Sequence, residues 1–178
     1  MQRVLIILAF GVALCGCDRS KINEDKYLEA GEQAVLPFKR SLKAALVSGL
    51  QEGPTSAIAV CRTEAPKLAE KAGSAEVRVG RTSSKLRNPA NVPKPWMEPL
   101  LERYESEPNH REPAVVVIDD ATVGYVEPIF AQPLCVTCHG SHIEPDVQAK
   151  LNELYPEDQA TGYVAGDLRG VFWAELPR

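Results

Sequence analysis

The segment PLCVTCHGSH at residues 133–142 carries two cysteines separated by two residues, with a histidine directly after the second. Three kinds of chemistry use such a run. The thiolates can help to hold a metal ion, a dithiol can cycle with a disulfide, or both thiols can add across the vinyl groups of a haem whose iron the histidine binds. The rest of the sequence decides among them.

Three further features of the sequence favour covalent haem. The chain begins like an exported protein, and haem is attached to c-type cytochromes after export. No second Cys-x-x-Cys pair and no paired histidines complete the four ligands of a zinc site. No βαβ pattern surrounds the motif, as a thioredoxin-like dithiol would require. We therefore predict one covalent haem c on Cys135 and Cys138, with His139 as an axial ligand; a structural disulfide or a redox dithiol is the alternative.

The first residues have the pattern of an export signal. Arg3 precedes an apolar run over residues 4–14, which is too short to cross a bilayer and is followed at once by small residues. The sequence LCGC at residues 14–17 resembles the lipobox of bacterial lipoproteins, in which the signal is cut just before a cysteine that then carries the lipid. The resemblance implies a signal peptide at residues 1–16 and lipidation of Cys17. The alternative is an ordinary signal peptide with an incidental cysteine.

The location of the mature chain follows from the lipid anchor. We expect a lipid-anchored protein on the periplasmic side of a bacterial membrane; Asp18 resembles the residue that retains lipoproteins at the inner membrane in some bacteria, which favours that membrane. Residues 17–26 are interpreted as lipid anchor and polar tether, and residues 27–178 as one domain of a mature chain of about 160 residues. The net charge of −4 lacks the basic excess that nucleic-acid binding needs.

Hydrophobic periodicity predicts an α+β fold in which helices precede an antiparallel set of strands. The C-terminal segment 162–176 is interpreted as two strands around a glycine-bearing turn, and residues 78–95 as a polar, irregular loop. The remaining predicted elements are helices at about 25–50, 54–72, 95–105 and 147–154 and strands at about 114–118 and 122–130.

Cys61 is the one cysteine without an assigned task, and it lies on the inward stripe of the second predicted helix. One interpretation is a small buried hydrophobic residue, as unpaired cysteine often is. The other is the second axial ligand of the iron, for which Met97, His110 and His142 are rivals. His142 is only three residues from His139, and His110 is in a polar segment where we expect it to be exposed.

Four separated blocks of the chain resemble the PAS-like c-type haem domain family: AIAVCRTEAP (57–66), VGRTSSKLRNPANVP (79–93), CVTCHG (135–140) and YPEDQATGYVAGDLRG (155–170). The resemblance implies a PAS-like antiparallel sheet flanked by N-terminal and connecting helices. It also implies haem attached through Cys135 and Cys138, with His139 as one axial ligand and Cys61 as the other.

The polar loop offers partners for the haem propionates, which are carboxylates that need cationic or hydrogen-bonding groups when they are partly buried. We predict that Arg81 and Arg87 contact the propionates or fix the loop against the haem; a solvated surface loop is the alternative. Further polar candidates in or beside this network are Ser83, Asn88, Asn91, Asp167 and Arg169. Trp96 and Trp173 are interpreted as packing residues.

The ligand pair suggests a function. Thiolate ligation stabilises ferric iron, and a Cys61 that leaves on reduction would open a site for a diatomic gas and shift its helix. We therefore expect a redox or gas sensor that signals through an unidentified protein partner. The alternative is a simple electron-transfer cytochrome with fixed ligands. An enzyme such as a peroxidase is disfavoured, because Cys61 would close the face that its substrate needs.

Overall fold

The computed structural model describes residues 22–178 and confirms the predicted α+β class with its antiparallel sheet. The helices are α1 (Glu24–Gln51), α2 (Pro54–Ala72), α3 (Glu98–Ser106), α4 (Val136–His139) and α5 (Pro145–Leu154). The strands are β1 (Arg78–Thr82), β2 (Ala114–Val117), β3 (Thr122–Phe130) and β4 (Leu168–Pro177).

The four strands form one sheet in the order β1-β4-β3-β2, with every neighbouring pair antiparallel. Val79 pairs with Ala174, which pairs with Tyr125 on its other side, so these side chains form a row across one face. That face packs against α1 and α2. Arg81 follows two residues after Val79 and therefore points to the same, helix-covered side of the sheet.

The main core lies between α1 and this face of the sheet. Val35, Phe38 and Leu42 recur at helical spacing on α1, and all three are buried against Val123 and Tyr125. Each such side chain contributes roughly 1.5–3 kcal/mol when it is fully removed from water. The first turn of α1 is capped by Asn23, whose side chain accepts a hydrogen bond from the Lys26 amide at 3.1 Å.

The opposite face of the sheet carries the two tryptophans as packing residues. Trp173 lies against Gly80, where an added Cβ would come within 2.6 Å of the ring, and Trp96 covers Gly124 in the same way. The indole nitrogen of Trp96 donates to the buried carboxylate of Glu175 at 2.9 Å. These contacts fix the segment between β1 and α3 to the sheet.

Two predicted elements differ from the structure. Residues 78–82 form an edge strand instead of part of a polar loop, because Val79 supplies core packing and Gly80 makes room for Trp173. The C-terminal segment provides one strand instead of two. Gly162 and Gly166 have positive φ angles, and the Asp167 carboxylate accepts a hydrogen bond from the Val164 amide at 2.8 Å, so the chain turns there before β4.

The predicted signal peptide and the lipidation of Cys17 lie outside the described residues. Helix α1 begins at Glu24, so its first turn falls within the stretch predicted as a tether. Within residues 22–178, no helix is both long and apolar enough to cross a membrane.

The contact between Gly31 on α1 and the ring of Tyr125 gives a direct test of this packing. A Cβ at Gly31 would overlap the Tyr125 ring, so Gly31→Ala should destabilise the protein by about 1–3 kcal/mol despite its better helix propensity. Ser48→Ala on an exposed position of the same helix should change stability by no more than about 0.5 kcal/mol. Urea unfolding followed by circular dichroism measures both, and equal midpoints would contradict the α1–sheet contact.

Candidate haem-binding site

The Cys-x-x-Cys-His run forms a single helical turn, α4, entered from Cys135. The amides of Cys138 and His139 both bond back to the Cys135 carbonyl, at 3.2 and 3.0 Å. Positions three residues apart lie on one side of a helix, so the turn presents both thiols in the same direction. Cys61, Cys135 and Cys138 are free and half-buried cysteines in the part of the chain that the structure describes.

His139 is held in one orientation by the segment that follows α5. Its Nδ1 donates to the Ala160 carbonyl at 2.7 Å, and its own carbonyl accepts from the Tyr163 amide at 2.9 Å. Because a carbonyl can only accept, Nδ1 carries the proton and Nε2 carries the free lone pair. Burial, with help from the nearby Arg169 and Arg87, lowers the pKa of His139 to about 2. The imidazole is therefore neutral and able to bind a metal through Nε2.

Arg87 connects the loop after β1 to the attachment turn and to the segment that orients His139. Its guanidinium donates to the carbonyl of Cys138 and, at 3.3 Å, to the carbonyl of Ala160. It also forms an ion pair with Asp158 at 2.9 Å, and Nη1 lies 3.5 Å from Nε2 of His139. Both partners of the ion pair are largely buried, with side-chain exposures of 13% for Arg87 and 9% for Asp158.

Cys61 lies on α2, which packs against α5, the helix that follows the motif. Helices α2 and α5 pack through Ile58, Val147 and Leu151, and Cys138 packs at the edge of this cluster. Burial raises the pKa of the Cys61 thiol, which Arg81 and Arg87 partly oppose. Burial raises the pKa of Cys138, Arg87 opposes this, and Cys61 and Cys135 add to it.

Arg81 and Arg169 complete a cationic cluster around His139. Burial lowers the pKa of Arg81, and burial lowers the pKa of Arg169 to about 10. Arg169 donates from Nη1 to the buried Ser83 hydroxyl at 3.0 Å, while its Nε is buried with no partner among the described residues. Asp158 is the one carboxylate that forms an ion pair with a member of this cluster in residues 22–178.

Comparison with known proteins places the chain in a family. The sequence profile of the Tll0287-like family matches residues 20–177. The chain belongs to the Tll0287-like family. The crystal structure of the cyanobacterial heme-protein Tll0287 is 24% identical in sequence, covers 81% of this chain and 92% of its own, and superposes with a TM-score of 0.61. No curated protein gives a significant match. The recognition made from the four sequence blocks is confirmed, as is the fold that it implied.

The residues of this Tll0287-like chain fit a haem. A haem brings two propionates, and the cluster of Arg81, Arg87 and Arg169 has a surplus of positive charge and one buried donor without an acceptor. His139 offers an imidazole nitrogen and Cys61 a sulfur, both of which bind iron. Within residues 22–178, no group of three or more His, Cys, Asp or Glu side chains is arranged to hold a metal ion by itself.

The predicted polar residues divide into two groups. Ser83 lies in the cluster through its bond to Arg169. Asn88 instead accepts from the Ala90 amide at 3.0 Å and caps a short 3-10 turn, while the Asn91 carbonyl accepts from the Thr82 hydroxyl. Asp167 bonds within its own turn. The described contacts of Asn88 and Asn91 are thus within their loop, and a role for them at a cofactor stays a prediction.

The structure places the three rival ligands, Met97, His110 and His142, in different surroundings. Met97 is 1% exposed at the start of α3, and His142 is exposed beside Ser141. The expectation that His110 would be exposed is wrong. Its ring stacks on Tyr104 with 5.2 Å between the ring centres, so the segment folds back onto α3 and buries the His110 Nε2.

Sequence reasoning missed three residues of the site, Asp158, Ala160 and Tyr163. The ring of Tyr163 meets His139 edge-on, at 6.3 Å between centres, and its faces are contacted by Lys85 and Arg169. All three residues belong to the block YPEDQATGYVAGDLRG, so the family resemblance pointed to this segment but did not indicate the roles of these residues.

Proposed function

We propose that this chain is a membrane-tethered, periplasmic haem protein with one haem c attached through Cys135 and Cys138. His139 and Cys61 are its axial ligands. The observation that carries the proposal is the state of His139, a neutral imidazole whose Nδ1 proton is bonded to Ala160 and whose unprotonated Nε2 faces Arg87 Nη1 at 3.5 Å, in the same turn as two free cysteines.

The structural relative supports haem as the cofactor, because it is a cyanobacterial heme-protein with the same fold. The cationic cluster supports it independently. Arg87 contributes to the lowered pKa of both Arg81 and Arg169, and Arg81 to that of Arg169, so the three guanidinium groups lie close together; such a cluster is stabilised when carboxylates enter it. The haem propionates would be these carboxylates, bound by Arg81 and Arg87.

The proposed activity is redox or gas sensing. Haem, when bound, supplies an iron that exchanges one electron and can bind a diatomic gas. Cys61 would be the movable ligand, because burial raises the pKa of its thiol and so favours the protonated sulfur over a free thiolate. Its place on α2 would couple a movement of the sulfur to that helix. His139 stays in place because both Nδ1 and its carbonyl are bonded to the segment after α5.

A simple electron carrier is the second candidate. The observation in its favour is the rigid set of bonds around His139 and Arg87, which would keep reorganisation small if Cys61 also stayed on the iron.

Either role requires a protein partner, which donates electrons or receives the signal. A lipid on Cys17 would hold the protein at the periplasmic face of the inner membrane. We propose no enzymatic role, because Cys61 would close the second face of the haem.

The ligand assignment is tested by Cys61→Ala. Electron paramagnetic resonance and visible spectra of the ferric protein should show a low-spin thiolate signature that this substitution abolishes. The haem should remain covalently attached, because Cys61 is not one of the two attachment residues. Met97→Leu, which removes a buried thioether of the fold, is the matched control and should leave the spectrum unchanged. A Cys61→Ala spectrum identical to that of the unmodified protein would exclude Cys61 as a ligand.

Carbon monoxide distinguishes the sensor from the carrier. If Cys61 leaves on reduction, the ferrous protein should bind carbon monoxide without any substitution, and the absorption band should shift on mixing. If both ligands stay, only the Cys61→Ala protein should bind the gas. The second result would contradict ligand release and favour the electron carrier.

A further inference from the structure

The largely buried carboxylate of Asp158 bonds to two groups that contact the His139 imidazole, the Ala160 backbone and the Arg87 guanidinium. Its Oδ1 accepts from the Ala160 amide at 2.8 Å. Its Oδ2 accepts from Arg87 Nε at 3.0 Å and forms an ion pair with Nη2 at 2.9 Å. Both oxygens are thus used, in a side chain that is only 9% exposed.

Hydrogen bonds hold the backbone of Ala160 at both its amide and its carbonyl. Its amide donates to Asp158, and its carbonyl accepts from His139 Nδ1 at 2.7 Å and from Arg87 Nη2 at 3.3 Å. Asp158 therefore reaches the imidazole by two routes, one through the Ala160 backbone and one through Arg87. Removing the Asp158 carboxylate would remove both the hydrogen bond that holds the Ala160 backbone and the ion pair that holds the Arg87 guanidinium.

The charge of Asp158 matters as much as its geometry. His139 is surrounded by Arg169, Arg87 and Arg81, and all three act on it as positive neighbours. Asp158 neutralises Arg87 directly and also acts on Arg169. Without it, the positive potential at the imidazole would rise in a setting where water screens poorly.

We propose that Asp158 is the positioning residue of the His139 ligand, and that it sets the reduction potential of the haem. This inference rests on the proposed function. A hydrogen bond from Nδ1 to a well-held acceptor makes imidazole a stronger donor to a metal, which stabilises the oxidised ion. The negative charge of Asp158 stabilises the more positive ferric state as well. Both effects have the same sign, so Asp158 keeps the potential low.

The test is a spectroelectrochemical titration of the mature, haem-loaded protein and its Asp158→Asn variant. Asparagine keeps the size of the side chain but removes the charge and weakens the bonds to Arg87. We expect a more positive reduction potential with the haem still covalently attached. Glu157→Gln is the matched control, because it removes the same charge from the neighbouring, exposed position. Its potential should equal that of the unmodified protein.

A second variant keeps the inference testable if Asp158→Asn does not fold. Asp158→Glu retains the charge but moves the carboxylate by one methylene, so the g-values of the ferric protein should change while the potential shifts less. Equal potentials and g-values in all folded, haem-loaded variants would overturn the positioning role and leave the proposed function intact. A protein that never carries covalent haem would overturn the proposed function, and this inference with it.

Discussion

The bonds of one buried guanidinium, that of Arg87, hold the candidate site together. Arg87 comes from the loop after β1, and it bonds to the attachment turn at Cys138 and to the later segment at Asp158 and Ala160. A largely buried charge is costly unless it is paired and hydrogen-bonded, so Arg87 favours the arrangement in which these segments meet. Separated blocks of the sequence are thereby forced to meet around His139.

The charge balance at this junction explains why the site favours an anionic cofactor. Asp158 neutralises one guanidinium, and the remaining positive charge faces the sulfur of Cys61 and the neutral imidazole of His139. A thiolate and two propionates would compensate such a surplus, whereas a neutral ligand would not. The same charges bear on redox chemistry, since every fixed charge near an iron changes the relative free energies of its two oxidation states.

The sequence predicted the helical half of the fold and β3 well, because α1 and α2 carry clear apolar stripes and residues 122–130 are bounded by turn signals. It failed for β1. That strand is short and lies at the edge of the sheet, and it is buried by the α1 core on one face and by Trp173, about ninety residues later in the chain, on the other. The sequence also failed to show that the C-terminal segment forms one strand. Glycines within an apolar segment do not indicate whether the strand begins before or after them.

The site was predictable to the extent that its chemistry lies in a local motif. Cys135, Cys138 and His139 lie within five residues, so their spacing together with the export signal predicts haem attachment without knowledge of the fold. Asp158 accepts from the Ala160 amide, and the Ala160 carbonyl accepts from His139, but backbone donors and acceptors leave no trace in the type of residue that supplies them. Side chains that position other groups through the backbone therefore cannot be identified from the sequence before the fold is known.

The claim on which this account depends is that the two cysteines of the attachment turn carry a haem in thioether linkage. Intact-mass spectrometry under denaturing conditions tests it most directly, on mature protein from cells that assemble c-type cytochromes. The account predicts a mass increase equal to one haem, which disappears when Cys135 and Cys138 are both replaced by alanine and persists in the Cys61→Ala protein. A mature protein with the mass of its polypeptide and lipid alone would contradict it.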